Sequence, residues 1–589
     1  PLDSDHIERL ISFKTQDFRQ PRSSVYSNLQ GDLIRLSKDL EESWMKLQGP
    51  CSSQLNQFLK RNFDATQKAI AEFIINITFE DESFTYEGVY EIVIAKNINR
   101  MIHYLYFGDK AIIERVHFEL DELKDVAELR EDVDVWWVIR LLRIICNGFE
   151  DSSLWNFLAK NYEHLPPITE KYIYSHVLST RTKIVELFLS QRNALDKYLN
   201  SDEGLIVSMP TSSGKTRIAE VAIVDNFIKN PDSKVLYIAP FKSLAFEIEN
   251  DFRRIFSNMS LSVSQLYGKK FYTKLDEQVA SDTDIIIATQ EKAKAFIRSG
   301  VDFAEKIKLV VIDEGHIIGF NERNVRNEAF IEELKIFIND NSGIFLLLSA
   351  VLPNTEHFSQ WLTGKKTCTY HDKLKSSNER LGILSWDGNK VDLIWEQLNK
   401  EGERSFNSRY IVREKLPRKF RQRVDRYFPS NKSDAIAATA HKFSELGAIL
   451  IFVSRKESVF TIGKSYYNLV EDGDDFNPSL NQQWKVFSLL CKEFEGEDSL
   501  ILKLGKKGIF CHNADLPDDL RLSMERILKT EKVKLIVATT TLGQGVNIGV
   551  STVIFSNYFV NGKALSYNDF WNIAGRAGRA FIDLEGKVL

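Results

Sequence analysis

A chain of 589 residues is too long for one hydrophobic core and points to about three to four domains. With 43% hydrophobic and 27% charged residues it fits an ordinary soluble globular protein. Its net charge of −5 gives no overall basic character that would advertise nucleic acid, although large proteins bind it through local basic grooves.

The five cysteines, Cys51, Cys146, Cys368, Cys491 and Cys511, stand far apart and form no Cys-x-x-Cys pair. That argues against zinc ribbons, iron–sulfur clusters and a disulfide framework, and for a reducing, cytoplasmic setting. The longest apolar run, GIFLLLSAVLP, falls far short of the roughly 20 residues a membrane span needs, so no membrane partner is expected. The opening PLDSDHIERL is not a signal peptide. It begins with Pro rather than Met, so residue 1 need not be a native start.

Residues 1–175 read as an α-helical accessory or partner domain. NLQGDLIRLSKDLEESWMKLQ (28–48) carries apolar residues at helical spacing and is closed by Gly49-Pro50. DVDVWWVIRLLRIICNGF (132–149) predicts a more buried helix ending at Asn147-Gly148. No repeat and no catalytic constellation occurs in this region, which leaves it as a place to hold a protein effector.

The texture then changes. Over 185–365 short apolar runs alternate with helical stretches: GLIVSM, KVLYIAP, DIIIAT, KLVVIDE and GIFLLLSA. Such runs, rich in Val and Ile, predict a parallel sheet of βαβ units. The pattern returns over 436–589 in GAILIFVS, KGIFCHN, VKLIVATT and STVIFSN. Between them, 366–435 reads as a connector holding the most basic stretch of the chain, VREKLPRKFRQRVDRYF (412–428). The part-acidic 466–503 reads as an insertion in the second α/β domain.

SMPTSSGKTRIAE (208–220) follows a predicted strand and opens a predicted helix, the context of a phosphate-binding loop. Backbone N–H groups over Thr211, Ser212, Ser213 and Gly214 would cradle phosphate oxygens, aided by the positive end of the helix dipole. Lys215 would reach the outer phosphates, and the Thr216 hydroxyl would bind Mg²⁺. The general pattern wants Gly at 209, where this sequence has Met. LVVIDEGH (309–316) ends an apolar strand in adjacent carboxylates. Asp313 fits the strand-end acid that holds Mg²⁺, and Glu314 the general base for an attacking water. Either motif alone has a bland alternative, a helix start or a surface acid pair; together they point to ATP·Mg²⁺.

PTSSGKT with DEGH resembles superfamily 2 helicases of the DExH kind, in which the first loop glycine is often replaced. The resemblance covers about 185–589. It implies an α/β fold of two tandem RecA-like domains, parallel sheets flanked by helices, preceded here by the helical N-terminal domain. LFLSQRNAL places Gln191 as a reader of the adenine edge. APFKSL, with Pro240 and Lys242, and ATQEKA, with Thr289 and Lys292, resemble motifs that touch the nucleic-acid backbone. LSAVLPN resembles the motif that couples the two sites, with Val351 in the family's Thr position.

In the second domain, FVSRKES stands where the family begins, and FCHNADLPDDLRLSME resembles its His-x-x-x-Leu-Pro segment. ATTTLGQGVNI resembles a phosphate-contacting loop that brings in Thr540, Thr541 and Gly545. NIAGRAGR resembles the motif whose arginines, here Arg576 and Arg579, face the γ-phosphate, with Asn572 in place of Gln. A finger of this kind is worth about 10³–10⁵ in rate. Asn561-Gly562 predicts a hairpin, which in related helicases separates strands and otherwise merely connects.

The Gly-Arg-Ala-Gly-Arg form looks most like the superkiller-type group, whose winged-helix and ratchet domains usually follow; they are expected outside this sequence. A helical region ahead of the core is similar to bacterial antiphage-defence helicases such as the helicase subunit of the Hachiman system. The resemblance implies an ATP-dependent helicase or translocase moving on single-stranded DNA or RNA, 3′ to 5′, in antiviral defence or nucleic-acid processing. Two other readings stay open. One is an ATP-gated nucleic-acid sensor that restrains and releases an effector; the other is an ATPase that never touches nucleic acid.

Overall fold

The computed structural model describes residues 86–589 apart from 163, 180–183, 211–212, 267–271, 316–321, 351, 353, 373–377, 397–403, 417–424, 471–475, 477–481, 532, 540–547, 561 and 579–584. The helix expected over 28–48 lies outside the described residues, as do Thr211, Ser212, Val351, Thr540, Thr541, Gly545 and Arg579.

The N-terminal region is helical: Tyr86–Phe107, Lys110–Leu129, Val133–Ser152, Leu154–Asn161 and Pro167–Val177. The third helix does not stop at Asn147-Gly148, as the sequence suggested, but runs to Ser152. Phe149, one residue past the glycine, is buried and holds the last turn in the core. The Ser152 hydroxyl donates back to the Gly148 carbonyl at 2.7 Å. Ser153 then caps the next helix by accepting from Asn156 N–H.

A helix over Leu189–Leu199 leads into the first sheet. Its strands are β1 (Gly204–Ser208), β2 (Lys234–Ala239), β3 (Val263–Gln265), β4 (Ile285–Thr289), β5 (Ile307–Ile312), β6 (Ile344–Ser349) and β7 (Thr369–His371). Their order is β3-β4-β2-β5-β6-β1-β7, and every pairing is parallel. β1, β2 and β4 are buried along their whole length, as strands covered by helices on both faces must be. The core is continuous with the helical region. One cluster runs from Tyr90 and Ile139 through Tyr172 to Ile223 and Tyr237.

Residues 366–435, expected as a connector, instead build much of the second sheet. β8 (Asn378–Trp386), β9 (Lys390–Glu396) and β10 (Arg404–Val412) form an antiparallel meander. β8 then pairs in parallel with a strand from the chain's last residues, labelled β19 below. The reason is visible in KVDLIWE: Val391, Leu393 and Trp395 alternate into the core, a strand pattern masked by the charge around it. β11 (Glu414–Lys415) and β12 (Tyr427–Phe428) make a small ladder in the basic stretch.

The remaining strands are β13 (Ile449–Phe452), β14 (Ile509–His512), β15 (Leu535–Ala538), β16 (Thr552–Phe555), β17 (Phe559–Val560), β18 (Lys563–Ala564) and β19 (Glu585–Val588). The large sheet has the order β10-β9-β8-β19-β16-β13-β15-β14. β17 and β18 form the hairpin expected at Asn561-Gly562, with Phe559, at the end away from the turn, 56% exposed. Tyr558 stacks on Phe555 at 5.8 Å. The expected insertion carries helices Gln482–Glu495 and Leu500–Gly505, whose Phe487, Cys491 and Ile501 join the second core. Among the described residues no helix is long and apolar enough to cross a membrane.

Candidate active site

β1, β5 and β6 lie side by side, and their carboxyl ends carry the three motif loops of the first domain. β1 ends at Ser208, and the helix Lys215–Lys229 begins seven residues later. In an open parallel sheet, ligands bind outside the carboxyl ends of the strands where the strand order reverses. β1 sits at such a point, since the chain leaves it to cross to β2 on the far side of β5 and β6.

Met209 is buried and continues the strand, its N–H donating to the Ser349 carbonyl at 3.0 Å. Gly214 has φ 72°, the left-handed region that favours glycine. A Cβ there would lie 2.4 Å from Gln191 Nε2. The Ser213 hydroxyl donates to the Pro210 carbonyl at 2.6 Å. Lys215 Nζ donates to the Met209 carbonyl at 3.1 Å and lies 3.5 Å from that of Pro210. Thr216 follows in the first helical turn, half-buried. The Ser213 hydroxyl and the Lys215 ammonium are thus both held by carbonyls at the start of the loop.

Gln191 does not stand free to read a base. Its Oε1 accepts from Phe188 N–H at 2.9 Å. Its Nε2 donates to the Ser213 and Gly214 carbonyls, both at 3.1 Å. The amide's two donors are both spent on the loop, so its role in this arrangement is to brace the phosphate-binding turn.

Asp313 leaves the end of β5 and is buried. Burial and the neighbouring Glu314 charge push its pKa up to about 6. Lys215, the Tyr237 hydroxyl and the Glu314 N–H oppose that shift. Tyr237 donates to Asp313 Oδ2 at 2.9 Å, and Glu314 N–H to Oδ1 at 2.9 Å. Glu314 itself has φ 53°, uncommon for a residue with a side chain and often found where function imposes strain.

The second domain brings Arg576. It follows the helix Tyr567–Ala574, and Ala577 bridges to Val550. The turn is packed tightly, since a Cβ on Gly586 of β19 would lie 2.4 Å from the Ala577 carbonyl. Burial pulls the Arg576 pKa down to about 10, and the negative charge of Glu314 counters the fall. It remains a cation at neutral pH. The structure therefore brings Lys215, Asp313, Glu314 and Arg576 to one cleft between two sheets. Lys529 pairs with Glu247, and Arg526 lies over the Phe246 ring at 5.4 Å, so the two domains also touch there.

These side chains fit ATP·Mg²⁺. Two adjacent carboxylates, one buried and hard to ionise, suit a divalent cation better than they suit each other. Thr216 and Asp313 are the residues that would hold it.

The expected nucleic-acid residues fare differently. Lys242 opens the helix Lys242–Phe256 and is exposed. Pro240 is buried, and Thr289 is buried as the N-cap of the helix Gln290–Arg298. Lys292 is only 2% exposed and pairs with Asp276 at 2.7 Å. The first turn of its helix points it inward, toward a carboxylate already held by Thr273. In this arrangement Thr289 and Lys292 are structural and do not present side chains to a phosphate backbone. His512 is likewise buried, 3.0 Å from Glu525.

Sequence reasoning missed Tyr237, which fixes Asp313, and the Met209 carbonyl, which fixes Lys215. A tyrosine inside the buried run KVLYIAP was a signal, because its hydroxyl had to find a partner.

Comparison with known proteins agrees with this geometry. Residues 189–358 match the DEAD/DEAH box helicase family model, and 474–581 match that of the helicase conserved C-terminal domain. The chain is 38% identical to the Hachiman protein HamB of Bacillus cereus over 539 residues, 90% of this chain and 48% of that protein. It is 28% identical to the ATP-dependent DNA helicase Hel308 of Pyrococcus horikoshii over 417 residues, 69% of this chain and 50% of that protein. The chain thus spans about half the length of these relatives. Its fold is similar to that of the DUF1998 helicase MrfA bound to DNA, with a TM-score of 0.50 and 20% identity, covering 72% of this chain and 51% of that one.

Proposed function

We propose that this chain, which belongs to the superfamily 2 helicases, is the ATP-driven motor of a DNA helicase or translocase that serves antiphage defence. The observation that carries the reading is the meeting of Lys215, Asp313 and Glu314 from the first sheet with Arg576 from the second. A site divided between two domains changes shape when its substrate is bound, hydrolysed and released, which is what a motor requires. The choice of DNA rests on the similarity to the ATP-dependent DNA helicase Hel308, and that of defence on the similarity to the Hachiman protein HamB.

The residues divide the work. A triphosphate would replace the Met209 and Pro210 carbonyls as acceptors for Lys215, so the loop is pre-shaped around its own substitute ligands. Mg²⁺, held by Thr216 and Asp313, would offset phosphate charge. Glu314 would take a proton from the attacking water. Arg576 would face the charge that develops on the transferred phosphoryl group and would draw the second domain in. Lys242, exposed at a helix start beyond β2, would contact the phosphate backbone of a single strand. Movement would run 3′ to 5′, as in the family the motifs resemble.

The test is ATP turnover compared across single-stranded DNA, duplex DNA and RNA, followed by strand displacement with the full-length protein. Stimulation by single-stranded DNA with displacement supports the motor. Equal turnover with and without every nucleic acid overturns it. One observation favours a second reading, ATP-gated sensing: the helical region shares a continuous core with the ATP-binding sheet. DNA-stimulated turnover without displacement, together with release of a bound effector, would select that reading.

A further inference from the structure

The helix that carries Lys215 is gripped by the N-terminal helical region through buried polar groups. Tyr172 and His176 lie one turn apart on the helix Pro167–Val177. The Tyr172 hydroxyl donates to Glu220 Oε2 at 3.1 Å. His176 Nε2 lies 3.0 Å from the same oxygen. Arg217 closes the group, pairing with Glu220 and lying 2.9 Å from His176 Nε2 and 3.2 Å from Nδ1. Tyr172, His176 and Glu220 are all buried. Arg217 stands two residues beyond Lys215, and Glu220 one turn beyond Thr216.

A second arm reaches the phosphate-binding loop itself. Ser153 bridges to Glu186, and Leu187 N–H donates to the Ser152 carbonyl at 2.8 Å. That fixes the segment before Phe188, whose N–H holds Gln191, and Gln191 holds the Ser213 and Gly214 carbonyls. Both arms start in the helical region; one ends on Arg217 and Glu220 in the first turns of the helix, the other on the Ser213 and Gly214 carbonyls before it.

We propose that Tyr172 and His176 are positioning residues for the ATP site, which set the first turn of the P-loop helix through Glu220 and Arg217 and so make the helical region a controller of ATP binding. The inference rests on the reading of 209–216 as the ATP site. Apolar packing alone could have joined the two regions at less desolvation penalty. A satisfied buried network instead fixes one register of helix against helix. A displaced register would move Lys215 and Thr216 relative to Asp313, and packed polar chains of this kind carry energetic coupling between sites. A ligand or partner that shifts the helical region would therefore change ATP affinity without touching the nucleotide.

The test uses the full chain and reads KM for ATP, kcat and Tm for Tyr172→Phe and His176→Ala, with Lys215→Ala in parallel. Ile113→Val, in the core of the same helical region on the helix Lys110–Leu129, serves as a packing control. Loss of one hydrogen bond to a charged group is expected to raise KM about tenfold in Tyr172→Phe, while Ile113→Val lowers Tm and leaves KM unchanged. Tyr172→Phe keeps the ring in place and carries the test alone if His176→Ala does not fold. An unchanged KM in Tyr172→Phe beside a dead Lys215→Ala overturns the positioning role and spares the site. Normal turnover in Lys215→Ala overturns both. A KM that rises as much in Ile113→Val as in Tyr172→Phe also overturns the positioning role.

Discussion

Asp313 is placed at a cost that a neutral side chain would not incur. Burial and Glu314 hold its pKa at about 6 against an ordinary 3.8. A carboxyl whose pKa is raised on folding opposes the fold once it ionises. The penalty is absent below the unfolded value near 4, grows as pH rises toward 6, and is full above that. A shift of about 2 units is worth roughly 3 kcal/mol. Asp313→Asn removes the charge but must give up one of two acceptor roles, toward Tyr237 or toward Glu314 N–H. That loss takes back about 1–2 kcal/mol. The variant is therefore expected to be more stable than the parent by about 1–2 kcal/mol at pH 7.5, or roughly 2–6 °C in Tm for a domain of this size.

The assay is thermal unfolding of both proteins in chelator, without nucleotide, at pH 7.5 and at pH 5. The advantage of the variant should shrink at the lower pH, where the parent's carboxyl is protonated. Adding Mg²⁺ and ATP should reverse the order, because only the parent keeps the charge that the ion uses. A variant less stable than the parent in chelator, or an advantage independent of pH, would refute the account of Asp313 as a strained acid kept for its chemistry.

Lys215→Ala and Glu314→Gln should each lower ATP turnover by at least about 10²-fold with the fold retained by circular dichroism; wild-type-like rates would remove both from the site. Arg576→Ala should retain nucleotide binding but lose about 10³-fold in turnover, and equal rates would show that the second domain does not contribute charge to the reaction. Lys292→Ala should destabilise the protein by about 3 kcal/mol, since it strands a buried carboxylate, and leave DNA affinity of the folded protein unchanged. Burial alone would raise the Asp276 pKa, but hydrogen bonds from Lys292 and Thr273 hold it below the ordinary value. The stabilisation from this pair is therefore present at neutral pH and is lost as pH falls into the carboxylate range. A weaker DNA affinity with unchanged Tm would restore Lys292 to the nucleic-acid surface.

The first sheet was legible because its strands are buried on both faces and read as unbroken apolar runs. The meander over 378–412 was not, because β8 to β10 are solvated on one face and surrounded by charge. Ile383, Ile394 and Phe406 share that outer row by register, and two of them are exposed. Motif spacing put Lys215, Asp313 and Glu314 on the segments that follow β1 and β5, where the structure also has them. It failed for Thr289 and Lys292, because a motif gives the loop and not the direction of each side chain around a helix start. The same distinction accounts for Met209. A glycine there would serve a loop that turns immediately after the strand. Here residue 209 still belongs to β1's line: its N–H bonds to β6 and its side chain fills the core. Its backbone is not left-handed, whereas Gly214, which is the left-handed position among the described loop residues, does carry glycine. What residue 209 must supply is its carbonyl, which Lys215 holds. Any residue has one, so the requirement at this position is an apolar side chain of a size the core accepts.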